Sequence, residues 1–125
     1  GWEARSAGTA AERYFAVPPG VHKALAARGI SPEGHVAQLA TRDLLRWADA
    51  VFPMTKLHRD ALWNEFPEHR SKTTLFFEAA GLGELDIPDP IGQPDAAYLR
   101  CRDQIEQGIL ALIQKHAPST ANPRP

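Results

Sequence analysis

The chain contains one cysteine, Cys101. An internal disulfide is therefore impossible, and such usage fits a reducing cytosol, so a cytoplasmic location is expected. Charge of one sign is also lacking: 14 basic residues against 15 acidic ones leave a formal net charge of −1. Without clustered Lys and Arg there is no electrostatic case for a nucleic-acid partner. No apolar run approaches the roughly 20 residues that span a bilayer, so no membrane segment is expected. No stretch reads as a secretory signal. The histidines are scattered rather than paired at ligand spacing, so neither a metal site nor any other cofactor is expected. A Gly-rich phosphate cradle is missing too. Gly81-Leu82-Gly83 is too short, and it does not join a strand to a helix as a P-loop does. No Ser-His-Asp order has supporting context, and no convincing nucleophile stands anywhere in the 125 residues.

What is present describes one ordinary globular domain. A chain of this length buries about two-thirds of its unfolded surface, enough for one core. Its 43% hydrophobic and 23% charged residues are typical of such domains. The domain is expected over residues 1–116. Residues 117–125, with three prolines plus Ser, Thr and Asn, read as a flexible tail.

Strand and helix signals alternate along the chain. Glu3-Ala4-Arg5-Ser6 suits a short strand, and a loop follows to Val17. Pro19 fits a helix N-terminus, Val21, Ala24, Leu25 and Arg28 follow at helical spacing, and Gly29 is a natural stop. Thr41 is placed to cap a short helix with Leu44, Leu45 and Ala48 on one face. Ala50-Val51-Phe52-Pro53-Met54 reads as a buried strand, although Pro53 removes a ladder donor. Thr55 caps a helix with Leu57, Ala61, Leu62 and Phe66 inward, ended by Pro67. Thr73-Thr74-Leu75-Phe76-Phe77 is another apolar strand candidate. The last helix is expected over about residues 94–116, with an inward stripe of Tyr98, Cys101, Ile105, Ile109 and Leu112. Arg102 and Glu106 fall at i, i+4 on its solvent side. This order predicts a three-layer α/β fold, a short parallel sheet with helices on both faces. Ligands of such sheets sit at the carboxyl ends of the strands. Here those ends are the loops 7–17, 54–56 and 78–93.

The third loop holds the principal candidate. In Asp86-Ile87-Pro88-Asp89-Pro90-Ile91-Gly92 a carboxylate rides on a Pro-stiffened turn before a long helix, a placement that suits a general acid. An Asp-Pro pair is also an ordinary turn signature. Asp86 either forms a shared-proton pair with Asp89 or is a second solvated charge. Cys101 falls on the apolar stripe of the last helix, far from the cationic surroundings that activate a thiol, and reads as core packing. His35, in Ser31-Pro32-Glu33-Gly34-His35-Val36, is either structural or supportive of a site. Ser6 and Thr9 flank a Gly at a strand end, where they bond a neighbouring loop or make a turn. Tyr14 and Phe15 lie in an otherwise polar loop, as a ligand rim or as an anchor on the core.

Taken in order, these segments resemble the low-molecular-weight protein-tyrosine phosphatase family. Arg5-Ser6-Ala7-Gly8-Thr9 resembles the end of its second strand. Pro18-Pro19 and Ala27-Arg28-Gly29-Ile30 resemble its second helix and exit. Gly34-His35-Val36-Ala37 resembles the segment whose histidine supports the phosphate loop. Ala48-Asp49-Ala50-Val51-Phe52-Pro53-Met54-Thr55 resembles its third strand. Asp89-Pro90-Ile91-Gly92, followed by Tyr98, resembles the general-acid loop and last helix. Thr55-Lys56-Leu57-His58-Arg59 is similar to the bacterial branch that includes protein-arginine phosphatases.

The resemblance implies that Asp89 is the proton donor, that His35 and Ser6 support the site, and that Tyr14, Phe15 or Ile91 rim a phosphorylated protein substrate. It also implies what these residues lack. Family members begin with a strand, a Cys-x5-Arg phosphate loop and a helix, whereas Gly1-Trp2-Glu3 resembles the point just after that helix. Cys101 does not substitute, because Gln107 stands where the motif needs Arg. Ile91 replaces the aromatic residue that usually follows Asp-Pro. By itself the chain is therefore expected to be inactive, as the C-terminal portion of a phosphatase acting through a cysteinyl-phosphate. The alternative is a non-catalytic interaction module that forms homo-oligomers through exposed sheet edges.

Overall fold

In the computed structural model, the described residues are 2–9 and 17–116. Tyr14, Phe15 and the tail expected at 117–125 lie outside them. The elements in order are α1 (Pro19–Ala26), α2 (Arg42–Trp47), α3 (Lys56–Glu65), a 3-10 helix (Pro67–Lys72), α4 (Phe76–Ala79) and α5 (Asp95–His116).

The helix ends follow their local chemistry. Thr41 Oγ1 accepts from the Leu44 N–H at 3.2 Å, and Thr55 Oγ1 accepts from the His58 N–H at 3.1 Å. Both satisfy N–H groups that a first helical turn leaves without partners. Gly29, at φ 70°, ends the α1 segment in a Schellman arrangement. Its N–H bonds the Ala26 carbonyl while the Ile30 N–H reaches back to Leu25.

The expected parallel sheet is not there. Among the described residues, extended backbone meets at two isolated parallel bridges, Gly8 with Leu39 and Val51 with Thr73. The second shows why no ladder grows. Val51 donates to the Lys72 carbonyl and accepts from the Thr74 N–H. The next residue of that register is Pro53, which has no N–H to give. Pro53 only accepts, from the Phe76 N–H at 2.9 Å. The partner segment then turns helical at Phe76, so residues 73–77 do not continue as a strand. A short apolar run does not by itself separate strand from buried helix. Here Phe76, Phe77 and Ala80 are all buried, a spacing that one helical turn satisfies. Likewise residues 3–6 form no strand. Beyond the Gly8 bridge they are held by Gln38 Nε2, which donates to the Ser6 carbonyl at 2.9 Å.

The core lies between α4, α5 and the loop that joins them. Phe76, Phe77, Ala80, Ile87 and Leu112 form one buried cluster, with Phe52, Met54, Cys101 and Ile105 packed on it. A smaller cluster joins Leu45 of α2 to Leu62 and Phe66, whereas Leu57 and Ala61, expected inward on α3, are exposed. α1 lies against α5 at a very close approach. A Cβ on Gly20 would come within 2.4 Å of the Tyr98 ring. On α5 itself, a Cβ on Gly108 would come within 2.3 Å of the Phe76 ring. This contact modifies the expected stripe: Gly108 faces the core, and Ile109 is exposed. Arg102 does not pair with Glu106. It donates to the Ala24 carbonyl at 2.8 Å and to Asp103, while Glu106 takes Arg28. Among the described residues, no helix is long and apolar enough to cross a membrane.

Candidate functional site

The loop between α4 and α5 is fastened at its centre. Ile87 is buried in the main cluster, and its N–H donates to the Met54 carbonyl at 2.8 Å. Next to it, Asp86 Oδ1 accepts from the Lys56 N–H at 2.8 Å. Lys56 is the first residue of α3, so this carboxylate serves one of the helix's free N-terminal amides. A negative charge is also favourable at that end of the helix dipole. Asp86 is thus a remote cap of α3.

Asp89 stands beyond these anchors. It is exposed, and its Oδ1 accepts from the Ile91 N–H at 3.0 Å, an Asx turn that holds the side chain over its own loop. The Gln93 N–H closes the turn on the Pro90 carbonyl, and Gly92 adopts φ 76°, a left-handed conformation that glycine takes without penalty. The second carboxylate oxygen has no hydrogen-bond partner among the described residues. It is available to a reacting group. Ile91, whose N–H bonds Asp89 Oδ1, is 65% exposed.

Cys101 is half-buried on the core side of α5. Burial pushes its thiol above the ordinary value, and the nearby Asp89 carboxylate adds to the shift. Both causes penalise a thiolate, so the side chain is a poor nucleophile at neutral pH.

The other candidates lie on other segments of the chain. Ser6 is exposed and bonded through its carbonyl to Gln38. Three residues earlier, His35 is exposed in a turn closed by its own N–H on Pro32 at 3.1 Å. It borders a cleft of about 690 Å³ with Val21, Leu25 and Ile30. The structure groups Asp86, Asp89 and Ile91, and separately places Ser6 and His35 on adjoining segments. Among the described residues, no hydrogen bond or ion pair links the two groups.

A second cleft, of about 550 Å³, contains none of the candidate site residues. Its wall includes Trp63, whose ring carries the Arg59 guanidinium at 4.6 Å and that of Arg70 at 4.2 Å. The capping role of Asp86 and this stacked wall both escaped sequence reading. For Asp86 the available signal was its place one residue before a buried Ile in a chain whose α3 begins without an acidic first turn.

The sequence pattern of the low molecular weight phosphotyrosine protein phosphatase family matches residues 1–120. A protein-arginine-phosphatase of Geobacillus stearothermophilus is 31% identical over 92% of this chain and 77% of its own length. The low molecular weight protein-tyrosine-phosphatase Wzb of Salmonella typhi is 32% identical over 90% of this chain and 68% of its own. In three dimensions, the crystal structure of a low molecular weight protein tyrosine phosphatase from T. tengcongensis superposes with a TM-score of 0.85. It is 31% identical, over 91% of this chain and 78% of that one. Sequence pattern, relatives and superposition agree, and the chain belongs to the low molecular weight phosphotyrosine protein phosphatase family.

Proposed function

We propose that this chain is the acid-bearing portion of a protein phosphatase that acts on phosphotyrosine or phosphoarginine, with Asp89 as its general acid. The observation that carries this is the state of Asp89: exposed, half-satisfied by its own turn, and set on a loop anchored to the end of residues 51–54. Membership of a phosphatase family supports it, as do relatives named for each substrate class.

In this scheme a cysteine thiolate from outside these 125 residues attacks phosphorus and forms the S–P bond. The P–O bond of phosphotyrosine, or the P–N bond of phosphoarginine, breaks. Asp89 gives its proton to the departing atom. Water then attacks the phosphorus, Asp89 takes a proton from it, the S–P bond breaks to restore the thiolate, and inorganic phosphate leaves. His35 and Ser6 would support the loop that holds the phosphoryl oxygens, and Ile91 would border the substrate. Alone, the 125-residue chain turns over nothing, because cooperating groups removed together cost many powers of ten.

A second role is favoured by a different observation. Leu99, Ile109, Leu110 and Ile113 are exposed along α5, more apolar surface than a free helix ordinarily shows. A non-catalytic module that binds a partner or a second copy through this face would explain it.

The two roles separate in one assay. The chain is tested on an aryl phosphate and on phosphoarginine, alone and with an added peptide carrying a strand, a Cys-x5-Arg loop and a helix. Turnover only with the peptide, reduced about 10²- to 10⁴-fold by Asp89→Ala, is the expected result. Complemented activity indifferent to Asp89→Ala would remove the acid. Inactivity throughout, together with a stable oligomer, would favour the module.

A further inference from the structure

The position of Asp89 is inherited from residues that never touch a substrate. The loop that carries it begins near Gly83 at φ 98° and ends at Gly92 at φ 76°, two points where the backbone is least restricted. Between them, Asp89 and Pro90 bond only within their own turn. What ties this turn to the rest of the molecule is the pair before it, Asp86 to the Lys56 N–H and the Ile87 N–H to Met54. Those bonds land on either side of Thr55, whose hydroxyl is already engaged by His58. The Lys56 amide therefore takes its acceptor from the loop, and the loop takes its register from α3.

We propose that Asp86 is a positioning residue for Asp89: its carboxylate, bonded to the first amide of α3, fixes the acid-bearing loop on the end of residues 51–54. The role depends on Asp89 being the acid, but the fastening itself is measurable without catalysis. Cys101 supplies the readout, since Asp89 is the charged side chain that bears on its thiol.

The experiment follows the pH dependence of Cys101 alkylation by iodoacetamide, with amide exchange at Lys56 and Ile87, in the 125-residue chain. Asp89→Asn removes the charge and lowers the pH at which the thiol reacts. Asp86→Ala frees the loop and moves the thiol the same way, and exchange at both amides speeds up by about tenfold or more, as loss of a hydrogen bond to a charged group predicts. Asp86→Asn keeps an oxygen that can accept from Lys56 and stays near the wild type. In the double variant, Asp86→Ala adds no further shift to Asp89→Asn, because it acts through Asp89.

Thr55→Ala weakens the same helix end without touching the loop, and should lower stability while leaving the thiol titration in place. The proposal is overturned if Asp86→Ala leaves titration and exchange unchanged. It is also overturned if its shift persists undiminished in the double variant, or if Thr55→Ala moves the thiol equally. Failure of the acid assignment would appear elsewhere, as indifference of the complemented phosphatase to Asp89→Ala. With that assignment intact, Asp86→Ala lowers the complemented activity and Asp86→Asn preserves most of it.

Discussion

The two parallel bridges are alike in their bonds and unlike in everything around them. Gly8 exchanges two backbone hydrogen bonds with residues 38 and 40, and Val51 does the same with residues 72 and 74. At the first, Leu39 is 48% exposed and Ser6 lies in solvent. Its reinforcement comes from Gln38 on the Ser6 carbonyl and from Arg5 over the Trp47 ring at 4.0 Å. At the second, Thr73 is 3% exposed and Leu75, two residues on, is fully buried. The bridge runs directly into Phe76, Ile87 and the main cluster. Backbone bonds exchanged for bonds to water contribute little net stability. Burial of the flanking side chains is what separates a firm contact from a loose one.

This contrast can be broken or sharpened by substitution. The largest effect is expected from Phe76→Ala, which removes the ring that packs on Gly108, Phe52 and Phe77. It should destabilise the chain by about 3–5 kcal/mol in urea denaturation, and a loss below 1 kcal/mol would end the claim that this side holds the molecule together. Gly108→Ala comes next. Helix propensity favours Ala by about 1 kcal/mol, but its Cβ would overlap the Phe76 ring, an overpacking cost of about 1–3 kcal/mol. The net is expected to be destabilising in the wild type. In the Phe76→Ala background it should turn stabilising, and a double-mutant cycle measures the change of sign. The smallest effect is expected at the first bridge, where Leu39→Ala should change the unfolding free energy by less than about 0.5 kcal/mol.

Much of the local structure was legible. Thr41 and Thr55 announce their helices because a hydroxyl before a helical run has one obvious use. Gly29 marks the exit of α1 for a comparable reason, since a left-handed residue is needed there. The sheet was misjudged because pairing is a property of two distant segments, and the alternation of signals does not say whether a ladder propagates. Pro53 was visible as an obstacle, yet only the structure shows that it sits at the next pairing position after Val51. The apolar run 73–77 read as a strand, but Phe76, Phe77 and Ala80 share one buried helical turn, which a run of five residues does not announce. Within the candidate site, the turn at Asp89 was foreshadowed by its Asp-Pro pair. The use of Asp86 was not, because its partner lies thirty residues away.

The tryptophans have an optical consequence. Trp47 lies beneath Arg5 beside the exposed bridge. Trp63, on α3 against the buried bridge, donates its indole N–H to the Thr73 carbonyl at 3.0 Å and carries two guanidiniums on its ring. Each neighbourhood thus owns a chromophore in a distinct electrostatic setting. With Trp2 also changed to Phe, replacing either indole by Phe would leave emission from the other neighbourhood alone, so a single denaturation scan could show which one loosens first.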